Sequence, residues 1–157
     1  MSELMLMRHA HAENAHAPGD DAARHLDARG QAEARAAAQQ LRALHWIPDA
    51  IIASAATRTR ETAAIVARVL DFDAARIHLE PRLYHGSDEV ILDTIRQCPP
   101  QTRRLLLVGH NPGLSQLAQR FCGEECRGLA TAGLCLVTPQ SAAWPDLEPE
   151  VGTGRVL

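Results

Sequence analysis

The residues of this sequence that could do chemistry on an anion sit at the ends of short apolar runs. Arg8 and His9 follow Leu4 to Met7. Ser54 closes a run through Ile51 and Ile52, with Arg58 four residues further on, and His110 follows Leu105 to Gly109. An Arg guanidinium is a rigid fork of donors that matches phosphate oxygens two at a time. A neutral imidazole is a competent nucleophile toward phosphorus, and neighbouring Arg charges lower its pKa and keep it neutral. A second imidazole can donate to the equatorial oxygens as charge builds on them. Backbone N–H groups at helix N-termini add a field that favours an anion. Two Arg and two His brought to one place would suit phosphoryl transfer, and none of the four belongs in an apolar core without a partner.

Something must bring them together. Leu4 to Arg8 reads as a first strand and residues 10–25 as a loop. A helical pattern runs from Asp27, its N-cap, to about Leu44, with Ala34, Ala38 and Leu41 at helical spacing. Ala50 to Ala53 reads as a second strand, residues 57–70 as a second helix and Ile77 to Leu79 as a weak third strand. Ser87 caps a helix reaching about Gln97, with Asp88 and Glu89 in its first turn, where the dipole favours them. Arg104 to Gly109 is the clearest buried strand. Pro112 opens a helix to about Cys122, Gly133 to Val137 is another strand, and 154–157 form a last short one after an irregular, Pro-rich stretch over 139–153. Strands alternating with helices predict an α/β fold, a single domain over 1–157 with a mostly parallel central sheet and helices on both faces. In such sheets ligands bind beyond the carboxyl ends of the strands, which is where Arg8, His9, Arg58 and His110 fall.

Composition narrows the function classes. The 157 residues carry a net charge of −3, and all 16 basic residues are Arg, so an Arg is not notable merely for being one. There is no basic surplus for nucleic acid, and 3% aromatics leaves no stacking platform for single strands. No run approaches the roughly 18 apolar residues of a membrane span, and the first apolar run is too short for a signal peptide, so the cytoplasm is the expected location. Four Cys are too few for a disulfide scaffold and read as ordinary thiols; Cys122 and Cys126 have no partner pair. His11, His16, His25, His45 and His78 read as surface or loop residues. No carboxylate or Cys set completes a metal site with His9 and His11, so no metal or other cofactor is expected. Trp46 and Trp144 receive no role.

Arg8-His9-Ala10 after an N-terminal strand resembles the Arg-His-Gly signature of the histidine phosphatase (phosphoglycerate mutase-like) superfamily. The block from Ser54 through Arg58 to Thr62 resembles its second phosphate-binding block. Leu107 to Asn111 resembles its second-histidine block, and Leu26 to Gly30 its first helix opening. The small size, Arg-His-Ala and Leu83-Tyr84-His85 most resemble the short bacterial phosphohistidine phosphatases of the SixA type. The resemblance spans roughly residues 3 to 138. It implies a phosphoglycerate mutase-like fold and a metal-independent phosphatase with His9 as phosphoacceptor. Arg8 and Arg58 would clamp the phosphoryl group and His110 would complete the site, with Arg24, Ser54 and His85 in substrate binding. The implied partner is a phosphorylated protein or a small phosphorylated metabolite.

Two departures are conservative: Ala10 replaces the common Gly and Ala55 the common Pro. A third is chemical. Larger members carry a Glu as general acid, whereas here Glu80, His85, Asp88 and Glu89 are all candidates without a convincing motif. Expelling imidazole from a P–N bond needs less help than expelling an alkoxide, so a missing acid favours a phosphohistidine substrate. The alternatives are a small-molecule phosphomonoesterase or mutase, and a phosphate-recognition module without turnover. Substrate identity and oligomeric state are not fixed by the sequence.

Overall fold

In the computed structural model, which describes residues 2–157, six strands form one sheet in the order β3-β2-β4-β1-β5-β6. Met1, the first residue of the expected domain, lies outside the described residues. The strands are β1 (Glu3–Arg8), β2 (Ala50–Ser54), β3 (His78–Glu80), β4 (Arg104–Gly109), β5 (Leu134–Val137) and β6 (Gly154–Val156). β1, β2, β3 and β4 run parallel, while β5 and β6 join antiparallel at one edge. The helices are α1 (Ala28–Ala43), α2 (Thr57–Val69), α3 (Asp88–Arg96) and α4 (Gly113–Cys122).

The sheet sorts its side chains by the period of two. Leu4, Leu6, Leu105 and Leu107 face a core shared with Ile91 and Ile95 of α3 and Leu114, Leu117 and Phe121 of α4. Met5, Met7, Leu106 and Val108 face the opposite core, under Ala34, Ala38 and Leu41 of α1 and Ala63 and Val66 of α2. Strands covered on both sides read as continuous apolar runs, which is why β1 and β4 were legible. Asp27 caps α1 by accepting from Gly30 N, and Ser87 caps α3 by accepting from Val90 N.

The register places the chemistry. Arg8 pairs with Gly109 across β1 and β4, so the next residues on each strand, His9 and His110, emerge side by side. β2 pairs on the other side of β4, Ala53 opposite Val108, which brings Ser54 and the start of α2 to the same edge.

Two segments differ from the sequence expectation. The loop over 10–25 contains a 3-10 turn, Asp21–Ala23, and a bridge between Ala12 and Leu26. In the irregular 139–153 stretch, Trp144 is 2% exposed and its indole donates to Thr102 O at 3.0 Å, so this residue closes the core beside α3. All four cysteines are free and buried.

Candidate active site

His9 is held by its backbone. Its N–H donates to Gly109 O and its carbonyl accepts from Ala132 N. The ring Nδ1 lies 2.7 Å from Ala10 O. A carbonyl can only accept, so Nδ1 carries the hydrogen and Nε2 keeps its lone pair. Thr62 fixes this turn from α2: its Oγ1 accepts from Ala10 N at 3.0 Å while donating to Arg58 O at 2.7 Å. Burial pushes the His9 pKa down to about 4 against the pull of the Ala10 carbonyl, and the charges of Arg58, Arg8 and Arg24 push the same way. The ring is therefore neutral at pH 7.

His110 stands next to it, ring centroids 5.3 Å apart. Its Nε2 lies 2.8 Å from Ser54 Oγ. Ser54 Oγ already accepts from Ala56 N, so its hydroxyl hydrogen is free to go to Nε2. That sets the tautomer with hydrogen on Nδ1, which is buried and without a partner. Burial first, then the charge of Arg58, lowers the His110 pKa to about 3.

Three guanidinium groups surround the pair in one arrangement. Arg8 Nη1 donates to Leu129 O. Arg58 gives Nη1 to Asp21 O and Nη2 to the Asp21 carboxylate. Arg24 gives Nη1 to Glu13 O and pairs through Nη2 with Asp21 at 2.8 Å. In each, the far end is tied to the protein while Nε is buried and unpartnered. Five buried side-chain polar atoms lack a partner among the described residues; four of them are Arg8 Nε, Arg24 Nε, Arg58 Nε and His110 Nδ1, the fifth being Trp46 Nε1. All four owners line one cavity of about 400 Å³ with His9. Buried donors left unpaired cost free energy unless an acceptor completes them. The arrangement can hold a tetrahedral oxyanion in front of His9 Nε2.

Asp21 organises the cations. Its carboxylate takes Arg58, Arg24 and the Tyr84 hydroxyl together. The Tyr84 hydrogen bond, then Arg58 and Arg24, hold its pKa down to about 2 against partial burial. Nothing in the sequence marked it, because it sits in an aperiodic loop and acts only once that loop folds over α2.

The expected residues are placed unequally. Arg8, His9, Arg24, Arg58, His85 and His110 line the cavity. Ser54 does not: it is fully buried, its oxygen occupied by His110 and Ala56, so the expected substrate contact is corrected to an orienting one. Glu80 is turned to Arg82, whose side chain and backbone N–H lower its pKa, and Asp88 and Glu89 both bind Arg120. None of these three carboxylates lines the cavity, which removes them as acids at this site. His11, read as a surface or loop residue, lines the same cavity as His9. Among the described residues no group of three or more His, Cys, Asp or Glu is placed to hold a metal ion.

Comparison with known proteins bears on the family and the fold. The model of the histidine phosphatase superfamily (branch 1) matches residues 4–85. An uncharacterized chloroplastic protein of Arabidopsis thaliana is 31% identical over 159 residues, covering 96% of this chain and 72% of its own. Among solved structures, SixA of Agrobacterium tumefaciens, described as a candidate phosphohistidine phosphatase, superposes with a TM-score of 0.79 at 30% identity, covering 88% of this chain and 92% of its own. The corresponding SixA protein of Nakamurella multipartitia, described in the same way, gives 0.82 at 26% identity, over 98% of this chain and 95% of its own.

Proposed function

The chain belongs to the histidine phosphatase superfamily, and from that premise we propose that it removes phosphoryl groups by way of a covalent intermediate on His9, its substrate being phosphohistidine on a protein. The observation that carries the reading is the gathering of Arg8 Nε, Arg24 Nε, Arg58 Nε and His110 Nδ1, all buried and unpaired, on residues that line one cavity with His9, whose Nε2 is unprotonated and free of any partner among the described residues.

The chemistry follows from those positions. Arg8, Arg24 and Arg58 neutralise the phosphoryl oxygens and align phosphorus with His9 Nε2. Nε2 attacks, the bond from phosphorus to the leaving group breaks, and His110 Nδ1–H meets the charge on an equatorial oxygen. Water then attacks phosphorus and the electron pair of the P–N bond returns to His9. No metal ion is required by this scheme, since the three guanidinium groups supply the positive charge.

The choice of substrate rests on the acids. Asp21 lines the cavity, but at a pKa of about 2 it holds no proton near neutrality. Glu80, Asp88 and Glu89 are engaged elsewhere. His85, the remaining candidate, has a side chain 70% exposed and no close orienting hydrogen-bond partner among the described residues. An imidazole can leave with its distal nitrogen already protonated, whereas an alkoxide needs a proton delivered by a positioned acid, so this site suits a P–N bond. The similarity to the two SixA proteins points the same way.

The test is kcat/KM for a protein phosphohistidine against sugar phosphates, with His9→Ala as control. A preference for the phosphohistidine of tenfold or more, abolished in the variant, is expected. A preference for sugar phosphates overturns the substrate, and equal rates in the variant overturn the enzyme.

A further inference from the structure

The scheme above leaves one proton without a destination: that of the water which hydrolyses phosphorylated His9. We propose that His11, held by Asp27, takes it. This rests on the covalent route through His9.

His11 is fastened on three sides. Its N–H donates to Glu33 Oε1 at 3.1 Å, its carbonyl accepts from Asp27 N, and its ring Nδ1 lies 2.5 Å from Asp27 Oδ2. The close approach of α1 depends on Gly30, where a Cβ would meet His11 O at 1.8 Å. Asp27 cannot swing away, because its other oxygen caps α1 through Gly30 N at 2.8 Å. That backbone hydrogen bond, with the one from His11, keeps the carboxyl below its ordinary pKa and therefore an acceptor. Nδ1 must then be the donor of the pair, so Nε2 of neutral His11 is a free base, with no hydrogen-bond partner among the described residues. Nδ1 is turned to the cap, Nε2 is the ring nitrogen left free, and His11 lines the cavity it shares with His9. The side chain is 38% exposed, so the cavity and solvent both reach it.

The other groups lining the cavity are unsuited to this step. Asp21 spends its carboxylate on Arg24, Arg58 and Tyr84, His110 Nε2 is held by Ser54, and the His85 side chain is 70% exposed with no orienting bond shorter than its 3.8 Å approach to Asp21. His11 is the imidazole of the site that a carboxylate orients, the arrangement by which a carboxylate stabilises an imidazolium as it forms.

The step balances. Water oxygen bonds to phosphorus, one water proton passes to His11 Nε2, and the P–N bond breaks with its electron pair returning to His9 Nε2. Phosphate departs and the His11 imidazolium, paired with Asp27, releases its proton to solvent.

The experiment follows decay of phosphorylated His9 in a single turnover. In His11→Ala and His11→Gln the intermediate is expected to form at the wild-type rate and to decay about a hundredfold more slowly, the lower end of general-base catalysis. Steady-state kcat then falls with KM, leaving kcat/KM unchanged, and added imidazole restores decay in His11→Ala. Asp27→Asn, which preserves a capping side chain, slows decay less but at the same step. Decay within threefold of wild type in both His11 variants overturns the assignment, as does a loss shared equally between formation and decay, the mark of a merely structural role. Absence of phosphorylated His9 in the wild-type protein overturns the covalent route itself, a different failure.

Discussion

Acid should find the two imidazoles of the site unusually hard to protonate. Their ordinary pKa is about 6.5, and in the folded chain burial lowers it to about 4 for His9 and about 3 for His110. At pH 5.5 a group of pKa 6.5 is roughly 9% neutral, and one of pKa 4 roughly 97% neutral. The sign of the stability effect follows. Both folded-state values are depressed, so the unfolded chain binds more protons below pH 6.5. The contribution of these rings is complete above that pH and is lost as pH falls toward 4 and then 3. Between pH 7.5 and 5.5 the loss is about 1.4 kcal/mol for each ring, or near 3 kcal/mol together. Imidazole nitrogen shifts of 15N-labelled protein, assigned through His9→Gln and His110→Gln, follow each titration, and urea unfolding at the two pH values follows the stability. A His9 ring that titrates near 6.5 would refute the reasoning, because neither the burial nor the three neighbouring guanidinium groups would then be acting on it.

Other expectations concern single side chains. Ser54→Ala removes the donor that sets the His110 tautomer; kcat/KM should fall about tenfold and stability by about 1–3 kcal/mol, the cost of an unmade buried hydrogen bond, as read by kinetics and urea unfolding. Arg58→Ala removes one oxyanion clamp and should lower kcat by about a hundredfold or more, while an Arg60→Ala control, on an exposed position of α2, should leave it unchanged. Trp144→Ala should cost about 3–5 kcal/mol of stability, the range for deleting a buried aromatic side chain, and leave kcat unchanged at temperatures where the variant stays folded.

The parts of this architecture visible in the sequence are those that follow from a period or from a strand end. β1 and β4 are apolar without interruption because both faces are covered, and their parallel register brings Arg8, His9 and His110 to one edge. Arg58 is visible because α2 begins just after β2. Other features belong to contacts distant along the chain. Asp21 acquires a role only when its loop reaches Arg58, thirty-seven residues away. His11 is held beside the cavity because Gly30 lets α1 approach its carbonyl and the α1 cap Asp27 binds its ring, contacts made nineteen and sixteen residues away along the chain. Ser54 stands beside the site chemistry, but full burial gives its oxygen to His110. Trp144 lies in a Pro-rich stretch without periodicity, and its place is set by Thr102, forty-two residues earlier.

The central claim is that the phosphoryl group passes through His9. Rapid acid-free quenching during turnover, followed by intact-mass measurement and peptide mapping, tests it directly. The account predicts a single added phosphoryl group on the peptide holding His9, stable to base, lost in acid and absent from His9→Ala. Sustained turnover with His9 unmodified at every time point, in a protein whose His9→Ala variant still hydrolyses substrate, would contradict it.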